Sequence, residues 1–419
     1  MPPIVPLQKG NEITVTIEEV VYGGEGQARY QGYNVLVPRG IPGDRLLVRV
    51  FTVQETTVRA DLLQVITPSV DRVLPICPTF QEGCGACQWL HMAYDAQLRW
   101  KRRLVESLVA TYPVLVDVRI HETMGMQRPL FYRNKMVTRI RGTRESLRVG
   151  FQNARGWVLG VFDKDDGQCY IQQPMNNRLG RALAAVLKRE RLPLKSATIR
   201  SSDEGEVALD LERKLAPALA AHLQGIGRQS LTVHYTIRNK RFQVTSPAFF
   251  QANTRQTEVL VDAVLGLLPE GRLRVAVDVY CGVGLFTLFL ADRTDAVYGI
   301  EESQVAIRDA ECNGAAIGLE NVSFVCEKAE TALPEIQRQT GQIDVILLDP
   351  PRSGCHRTVL EAVSQCRPRR LIYISCNVTS LARDLAILQE LGMPARSIQP
   401  VDMFPHSYHI ECVALCGEA

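Results

Sequence analysis

The sequence has no apolar run long enough to span a membrane, and it has no low-complexity or repeated segment. Its first residues, MPPIVPLQKGNE, lack the apolar core of a secretory signal. Twelve cysteines in 419 residues are too few for a secreted disulfide framework, and several fall in apolar segments. We therefore expect a cytoplasmic protein with no membrane partner, whose cysteines are reduced thiols or metal ligands.

The chain also has little net charge. The formal charge is +3, with 46% hydrophobic and 22% charged residues, which is typical of a globular protein with two or three domains. The basic residues cluster in three short runs, RWKRR, RNK and RNKR. This distribution permits a nucleic-acid partner but does not demonstrate one.

Residues 12–66 alternate apolar and polar side chains in short runs that are interrupted by the turns YGGEG and IPGD. This pattern predicts a small β-barrel of the OB type over residues 1–68. Such barrels often bind single-stranded nucleic acid, although a purely structural cap would have the same periodicity.

Two further domains are expected. Residues 69–245 contain a cysteine cluster, a basic amphipathic helix near 95–112 that could pack on the last domain, and strand patterns of a mixed α/β fold. Residues 246–419 alternate strand-length apolar runs with helical segments, which predicts a doubly wound parallel sheet. Asn253 and Gln256 have the spacing of a capping box at the first helix.

In VDVYCGVGLFTLFLA, a strand is followed by a glycine turn and a helix, so the backbone at Gly282 and Gly284 can approach a ligand closely. The third glycine of the dinucleotide fingerprint is missing, which argues against a bound pyrophosphate. Glu301 ends the next strand, where a carboxylate commonly binds ribose hydroxyls. The combination predicts an adenosine-bearing cofactor. The alternative for Glu301 is a carboxylate at the amino terminus of a helix that interacts only with the helix dipole.

Three chemically active groups lie at the ends of later strands. Asp349 precedes two prolines, Cys376 lies in the turn after the apolar run LIYI, and Glu411 interrupts the final apolar segment. Because ligands bind at the carboxyl edge of such sheets, Cys376 is a candidate nucleophile and Glu411 a candidate general base. The alternatives are a turn-forming aspartate, a small apolar filler and an exposed edge-strand carboxylate.

The segment CPTFQEGCGACQW contains three cysteines, Cys77, Cys84 and Cys87, and Cys169 is a possible fourth member of the group. Four thiolates can hold either a tetrahedral zinc ion or an iron-sulfur cluster. The spacing alone does not choose between these two.

Over nearly its whole length the chain resembles the RNA uracil-5-methyltransferase family, through FFQAN, DPPRSG, SCN followed by LARDL, and DMFPHSYHIE. The resemblance implies a TRAM barrel, a Rossmann-like methyltransferase domain, and Cys376 and Glu411 as catalytic residues. It implies a [4Fe-4S] cluster on Cys77, Cys84, Cys87 and Cys169. It implies an S-adenosylmethionine site formed by Gln251, Tyr280, Gly282, Gly284, Leu285, Glu301 and Asp349. Leu285 and Lys328 depart from polar residues that are common in relatives.

The resemblance further implies a monomeric enzyme that converts a uridine of RNA to 5-methyluridine, with 23S ribosomal RNA favoured over transfer RNA. In the implied chemistry, the Cys376 thiolate adds to carbon 6 of uracil, and Glu411 later removes the proton from carbon 5. A methyltransferase for another base or for protein, and a non-catalytic RNA-binding protein, are the alternatives. The cysteine of SCN argues against the first, since methylation of an exocyclic amine needs no covalent thiol.

Overall fold

The computed structural model describes residues 6–143, 145–153, 155–164, 166–190, 194–211, 228–229 and 231–417. No helix within these ranges is long and apolar enough to cross a membrane.

The first region is a six-stranded sheet that surrounds its own core. Its spatial order is β1-β5-β6-β4-β3-β2, and all neighbours are antiparallel except β4 and β6. Alternate side chains such as Val15, Val35 and Val48 are buried, as the two-residue periodicity predicts. The strands are β1 (Glu12–Thr16), β2 (Glu19–Val20), β3 (Gly26–Tyr30), β4 (Tyr33–Val37), β5 (Arg45–Gln54) and β6 (Thr57–Thr67).

The middle region contains a second six-stranded sheet, with the order β10-β9-β8-β11-β12-β13. One face of this sheet is covered by the helix α3 (Pro174–Glu190), which buries Leu183 and Leu187 against Met136 and Ile140 of β8. The strands are β8 (Lys135–Arg141), β9 (Arg148–Gln152), β10 (Val158–Gly160), β11 (Ser196–Ser201), β12 (Glu206–Leu211) and β13 (Arg228–Gln229).

Three further elements of the middle region come before the second sheet in the sequence. They are the helix α1 (Pro78–Gln81), the helix α2 (Tyr94–Val109) and the strand β7 (Arg119–Ile120), with a 3₁₀ turn at Pro113–Leu115. The helix α2 corresponds to the amphipathic segment expected near 95–112. It buries Leu104 and Val105 in the same core as the strands and helices of the last sheet.

The last region is an eight-stranded sheet with the order β18-β17-β16-β19-β20-β22-β21-β7. Along the chain, a hairpin of two strands and then one helix come after the second sheet, and five further helices alternate with the strands of the last sheet. The strands are β14 (Thr232–Ile237), β15 (Lys240–Thr245), β16 (Leu273–Val279), β17 (Thr294–Ile300), β18 (Val322–Val325), β19 (Val345–Leu348), β20 (Arg370–Ser375), β21 (Ala395–Val401) and β22 (Glu411–Gly417). The helices are α4 (Thr254–Leu265), α5 (Leu285–Leu290), α6 (Gln304–Ile317), α7 (Ala329–Thr340), α8 (Arg357–Cys366) and α9 (Val378–Glu390), with a 3₁₀ turn at Ala291–Arg293.

Both faces of this sheet are covered, as expected for a doubly wound fold. Leu371 and Tyr373 of β20 pack in the core that includes α8 and α9, whereas Ile372 and Ile374 pack in the core on the opposite face. The hairpin β14–β15 closes that second core, and the backbone amide of Gln243 donates to the Asn313 side chain of α6 at 2.7 Å.

The expectation of a wholly parallel sheet is wrong at one edge. The strand β22 is antiparallel to both β20 and β21, and Ser375 lies opposite Cys412. Because of this reversal, the beginning of β22 lies beside the carboxyl end of β20. A parallel strand would have placed Glu411 at the opposite edge of the sheet.

The capping box at α4 is only half formed. The Asn253 side chain accepts a hydrogen bond from the Gln256 amide at 3.2 Å, as predicted. The Gln256 side chain, however, donates to the carbonyl oxygens of Met124 and Gly125 instead of returning to Asn253. It therefore holds the segment that leads into the middle sheet.

Candidate active site

Cys376 occupies the turn between β20 and α9, and hydrogen bonds on both sides fix this turn. The Asn377 side chain caps α9 by accepting from the Thr379 amide at 3.1 Å, and its amide nitrogen donates to the carbonyl oxygen of Arg352 at 2.9 Å. The Ser375 hydroxyl donates to the carbonyl oxygen of Asn377 at 3.1 Å. The thiol is therefore presented by a rigid turn, partly exposed to a cavity.

Two carboxyl groups approach this turn from neighbouring strands. Asp349 follows β19 and is half-buried, and Glu411 begins β22 with only 3% of its surface exposed. Burial is the main cause that raises the pKa of Asp349, to about 8, and a nearby Asp278 adds to it. Burial and then Asp349 raise the pKa of Glu411 well above its usual value. Close carboxyl groups in an apolar site can retain a proton near neutral pH.

The expected alternative for Glu411, an exposed carboxylate on an edge strand, does not match its position. The strand β22 lies between β20 and β21, so both of its edges are paired. A carboxyl group that is buried in such a strand and lines a cavity has the surroundings expected of a general base.

Arg352 is a site residue that the sequence analysis did not single out, although it lies within the DPPRSG motif. Burial and then Glu411 raise the pKa of the Cys376 thiol to about 11, while Arg352 acts in the opposite direction. Arg352 also lowers the pKa of Glu411. Its guanidinium is thus the neighbouring cation that favours the thiolate.

One cavity of about 580 Å³ contains most of the predicted cofactor and catalytic residues. Those that line it are Gln251, Tyr280, Gly282, Leu285, Glu301, Asp349, Cys376 and Glu411. Gly284 is not among the lining residues. It begins α5 with φ +86°, and a Cβ there would approach the Phe324 ring to 3.3 Å, so its lack of a side chain serves packing.

The cofactor end of the cavity is formed by the turn after β16. Tyr280 adopts φ +67° there, and its amide and that of Cys281 donate to the carbonyl oxygen of Ile300. The Glu301 carboxylate accepts from the amides of Gly282 at 3.2 Å and Ser303 at 2.9 Å. A Cβ on Gly282 would meet no atom within 4 Å, so the backbone is open to a ligand at this position.

Aromatic side chains form part of the same wall. Phe404 lines the cavity, and Phe249 also lines it while exposing 66% of its surface to solvent. The sequence analysis did not identify either ring, although FFQAN and DMFPHSYHIE contain them. Exposed rings of this kind offer flat apolar surfaces on which a nucleobase can stack.

The four predicted metal-binding cysteines lie in the middle region, close enough to affect the pKa values of thiols within the group. Burial raises the pKa of Cys87 and Cys169, to about 12 for Cys169, and the other thiols of the group raise both pKa values further. The loop is anchored through the Gly85 amide, which donates to Gln152 at 3.1 Å, and through the Cys169 amide, which donates to Asn177 at 2.7 Å. Within the described residues, no three acidic, histidine or cysteine side chains are arranged to hold a metal ion.

The α/β sheet, its glycine turn and the carboxylate after the second strand define a class I methyltransferase domain. Comparison with known proteins extends this assignment. The family model for tRNA (uracil-5-)-methyltransferases matches residues 226–418, and the TRAM domain model matches residues 6–63. The predicted barrel at the start of the chain is thus confirmed.

Similar curated proteins span the whole chain. An uncharacterized RNA methyltransferase of Halalkalibacterium halodurans is 32% identical, over 98% of this chain and 98% of that protein. One from Clostridium acetobutylicum is 30% identical, over 99% of each. The crystal structure of Pyrococcus abyssi tRNA (uracil-54, C5)-methyltransferase with S-adenosyl-L-homocysteine has the same fold. It has a TM-score of 0.74 and 20% identity, and covers 96% of this chain and 100% of that one.

The chain therefore belongs to the RNA uracil-5-methyltransferase family, as its motifs indicated. It is an enzyme of the class I RNA methyltransferases with an N-terminal TRAM domain.

Proposed function

We propose that this enzyme uses S-adenosylmethionine to methylate carbon 5 of a uridine in RNA, giving 5-methyluridine. The observation that carries the proposal is that Cys376 and Glu411 line one cavity with the glycine turn and Glu301. A thiol, a buried carboxyl group and a nucleoside-sized recess are what this reaction requires in one place.

The cofactor end of the cavity suits an adenosine-bearing ligand. Glu301 is held by two backbone amides, so its carboxylate is oriented for ribose hydroxyls, and the open backbone at Gly282 leaves room beside it. We assign Gln251, Tyr280, Leu285 and Asp349 to the remaining walls, with Gly284 supporting the turn from behind. S-adenosylmethionine supplies an electrophilic methyl group when bound.

Cys376 makes the substrate reactive. Carbon 5 of uracil is a poor nucleophile, so the thiolate first forms a bond to carbon 6, and the electron pair of the double bond moves towards carbon 5 and the carbonyl at carbon 4. Carbon 5 can then accept the methyl group. Arg352 assists because its positive charge favours the thiolate, against the neighbouring carboxyl groups that oppose it.

Glu411 completes the reaction by removing the proton from carbon 5. The electron pair of that bond re-forms the double bond between carbons 5 and 6, and the thiolate leaves. The raised pKa of the carboxyl group makes it a stronger base than an exposed glutamate once it is ionised. To reach Cys376 the uridine must be unpaired or flipped from its stack, and the rings of Phe249 and Phe404 could support it there.

We also propose that Cys77, Cys84, Cys87 and Cys169 hold a [4Fe-4S] cluster. Four thiols are a suitable ligand set for such a cluster. The thiols raise the pKa of Cys87 and Cys169, and the positive charge of bound iron would stabilise them as thiolates. The group lies in the middle region and not at the catalytic cavity, so we assign it a structural role.

The substrate that we favour is 23S ribosomal RNA, on the basis of the barrel and the cysteine group. The deciding experiment incubates the purified protein with S-adenosylmethionine and unmodified ribosomal or transfer RNA, and quantifies 5-methyluridine by mass spectrometry of nuclease fragments. Methylation of 23S RNA by the wild type, its loss in Cys376→Ala and its retention in Cys312→Ala are expected. Cys312 is an exposed thiol on α6 and provides a matched control. Product only in transfer RNA would overturn the ribosomal target, and no 5-methyluridine in either RNA would overturn the function.

A further inference from the structure

The helix α3 covers one face of the second sheet. On the other face, the hairpin β14–β15 packs against Ala208 of β12, and basic side chains occupy the part formed by β8. Along β8, Met136, Thr138 and Ile140 are buried beneath α3, whereas the alternate residues Arg139 and Arg141 are exposed. Side chains two residues apart on a strand are about 6.8 Å from each other on the same face. Lys135 lies on the same side of this strand, Val137 is exposed between it and Arg139, and Arg133 precedes the strand. We call these four cations the basic sheet face (Arg133, Lys135, Arg139 and Arg141).

Neighbouring strands place further basic side chains beside this face. In the register of the sheet, Arg141 lies opposite Arg148 of β9, which is ion-paired with Asp163, and Lys135 lies opposite Arg200 of β11, which is buried and donates to the carbonyl oxygen of Ala248. Burial and then the charge of Arg200 lower the pKa of Lys135, while Asp210 has a smaller opposite effect. Like charges on adjacent strands repel each other, so the arrangement favours an anionic partner.

The other two basic runs of the sequence differ from the basic sheet face in this respect. In RWKRR, acidic partners bind Arg99, Lys101 and Arg102, and in RNKR they bind Arg238, Lys240 and Arg241. None of the four cations of the basic sheet face is ion-paired with a residue that the structure describes. Arg103 of RWKRR is not ion-paired with a described residue and lies over the Trp100 ring. Of the three runs, RNK is therefore the one in which both cations lack an acidic partner among the described residues.

A recess lies on this face. It has a volume of about 380 Å³, and Arg133, Lys135 and Arg139 line it together with Ala86 of the cysteine loop. The Nε atom of Arg133 is buried and has no hydrogen-bond partner among the described residues. The guanidinium lies 5.4 Å from the centre of the Phe404 ring, and Phe404 lines the cavity that contains Cys376.

We propose that the basic sheet face binds the sugar-phosphate backbone of the RNA strand that continues from the target uridine, with Arg133 contacting the phosphate nearest to the cavity. A strand of RNA offers negative charges at regular short intervals, and bidentate arginines suit phosphate oxygens. Because the four residues of the basic sheet face are cations and none is aromatic, we expect this face to contact the backbone and not to read bases. This inference rests on the proposed function for the identity of the strand.

The test measures the affinity of a single-stranded RNA that contains the target uridine, as a function of salt concentration. The double variant Arg139→Gln/Arg141→Gln removes two exposed charges without disturbing the buried face of β8. Each lost phosphate contact with a single strand lowers the slope of log affinity against log salt by about 0.7, so two contacts correspond to a roughly 25-fold weaker affinity at 0.1 M salt. The calorimetric affinity for S-adenosylmethionine should be unchanged.

Arg274→Gln/Arg369→Gln is the matched control. It removes the same charge from exposed positions at the amino edge of the last sheet, opposite the cavity, and it should bind RNA as the wild type does. Equal loss in this control would mean that net charge alone matters, and an unaltered salt slope in the β8 variant would also overturn the inference. If the wild type binds RNA at this face but forms no 5-methyluridine, the proposed function fails and the binding site stands.

Discussion

The hydroxyl group of Tyr22, in the barrel, donates a hydrogen bond to the side chain of Asn377, which follows the candidate nucleophile, at 3.0 Å. The two residues are 355 positions apart in the sequence. The Tyr22 ring also packs edge-on against Tyr408 with centroids 5.5 Å apart, and the Trp89 indole donates to the carbonyl oxygen of Gly24 at 3.1 Å. The barrel therefore contacts the turn that presents Cys376, in addition to any role in gripping RNA.

Tyr22→Phe removes only this hydroxyl group. Burial and then Tyr408 raise the pKa of Tyr22 to about 12, so the phenol remains protonated and can donate at any pH suitable for an assay. A lost hydrogen bond of this type corresponds to about 1 kcal/mol, or roughly a fivefold lower kcat. We expect this decrease with a melting temperature lowered by at most about 4 °C and an unchanged KM for S-adenosylmethionine.

Tyr33→Phe in β4 is the control, since it removes a hydroxyl group from the same barrel away from the catalytic turn. A Tyr22→Phe enzyme with wild-type kcat would show that the contact does not position the turn. An equal decrease in both variants would indicate a general effect on the barrel.

Cys376→Ala and Glu411→Gln should fail at different steps. Without the thiol, the enzyme should bind RNA but form no covalent complex and no 5-methyluridine. Without the carboxylate, the thiol should still add to carbon 6 and carbon 5 should be methylated, but the proton would remain and the enzyme would stay attached to methylated RNA. Denaturing gel electrophoresis with labelled RNA measures the complex directly. A covalent complex in Cys376→Ala would assign the nucleophile to another thiol, such as Cys281 or Cys355.

Asp349 should make folding stability dependent on pH. Its pKa is about 8 in the folded protein against about 3.9 for an exposed aspartate, so the folded state binds the extra proton across this interval. The stabilisation by this proton is complete below about pH 4 and is lost progressively as the pH rises through 8. The melting temperature of Asp349→Asn relative to the wild type should therefore increase between pH 5 and pH 8.

Asp117→Asn, at an exposed position, controls for the general effect of removing a negative charge. A difference between Asp349→Asn and the wild type that stays constant over this pH range would contradict the raised pKa.

The cysteine group predicts bound iron. Protein purified without oxygen should be brown and contain about four iron atoms per chain, as expected for a cubane cluster. Cys84→Ala and Cys87→Ala should lose both colour and iron, while Cys312→Ala, with its exposed thiol, should retain them. Elemental analysis that finds stoichiometric zinc and no iron would replace the cluster with a tetrahedral zinc site.

Much of the candidate site could be predicted because each residue follows or begins an apolar strand. The runs that precede Asp349 and Cys376 fix these residues at the carboxyl edge of a parallel sheet, wherever the strands lie in the order. The direction of β22 could not be predicted in this way, since an apolar run has no orientation. Tyr22 was also missed, because a contact across 355 residues depends on how two regions pack and not on local sequence.

The run RWKRR is a second case in which the contacts of a side chain could not be predicted from the local sequence. Its charges permitted a nucleic-acid partner, but the side chain of Lys101 is fully buried, with Nζ 2.5 Å from a carboxylate oxygen of Asp402. The same ammonium donates to the carbonyl oxygens of Phe404 at 3.1 Å and His409 at 2.9 Å. Lys101 thus holds the segment that connects β21 with Glu411, and we expect it to be a positioning residue.

Lys101→Met should destabilise the enzyme and impair the step assigned to Glu411. Removal of one partner leaves Asp402 buried without its cation, at a cost of about 3–5 kcal/mol in the free energy of unfolding. The double variant Lys101→Met/Asp402→Asn avoids the uncompensated charge and should regain much of this stability, as measured by chemical denaturation. If the pair only stabilises the fold, the double variant will also regain kcat. If it positions the segment before Glu411, as we expect, kcat will stay low and the covalent complex with methylated RNA will accumulate in the restored protein.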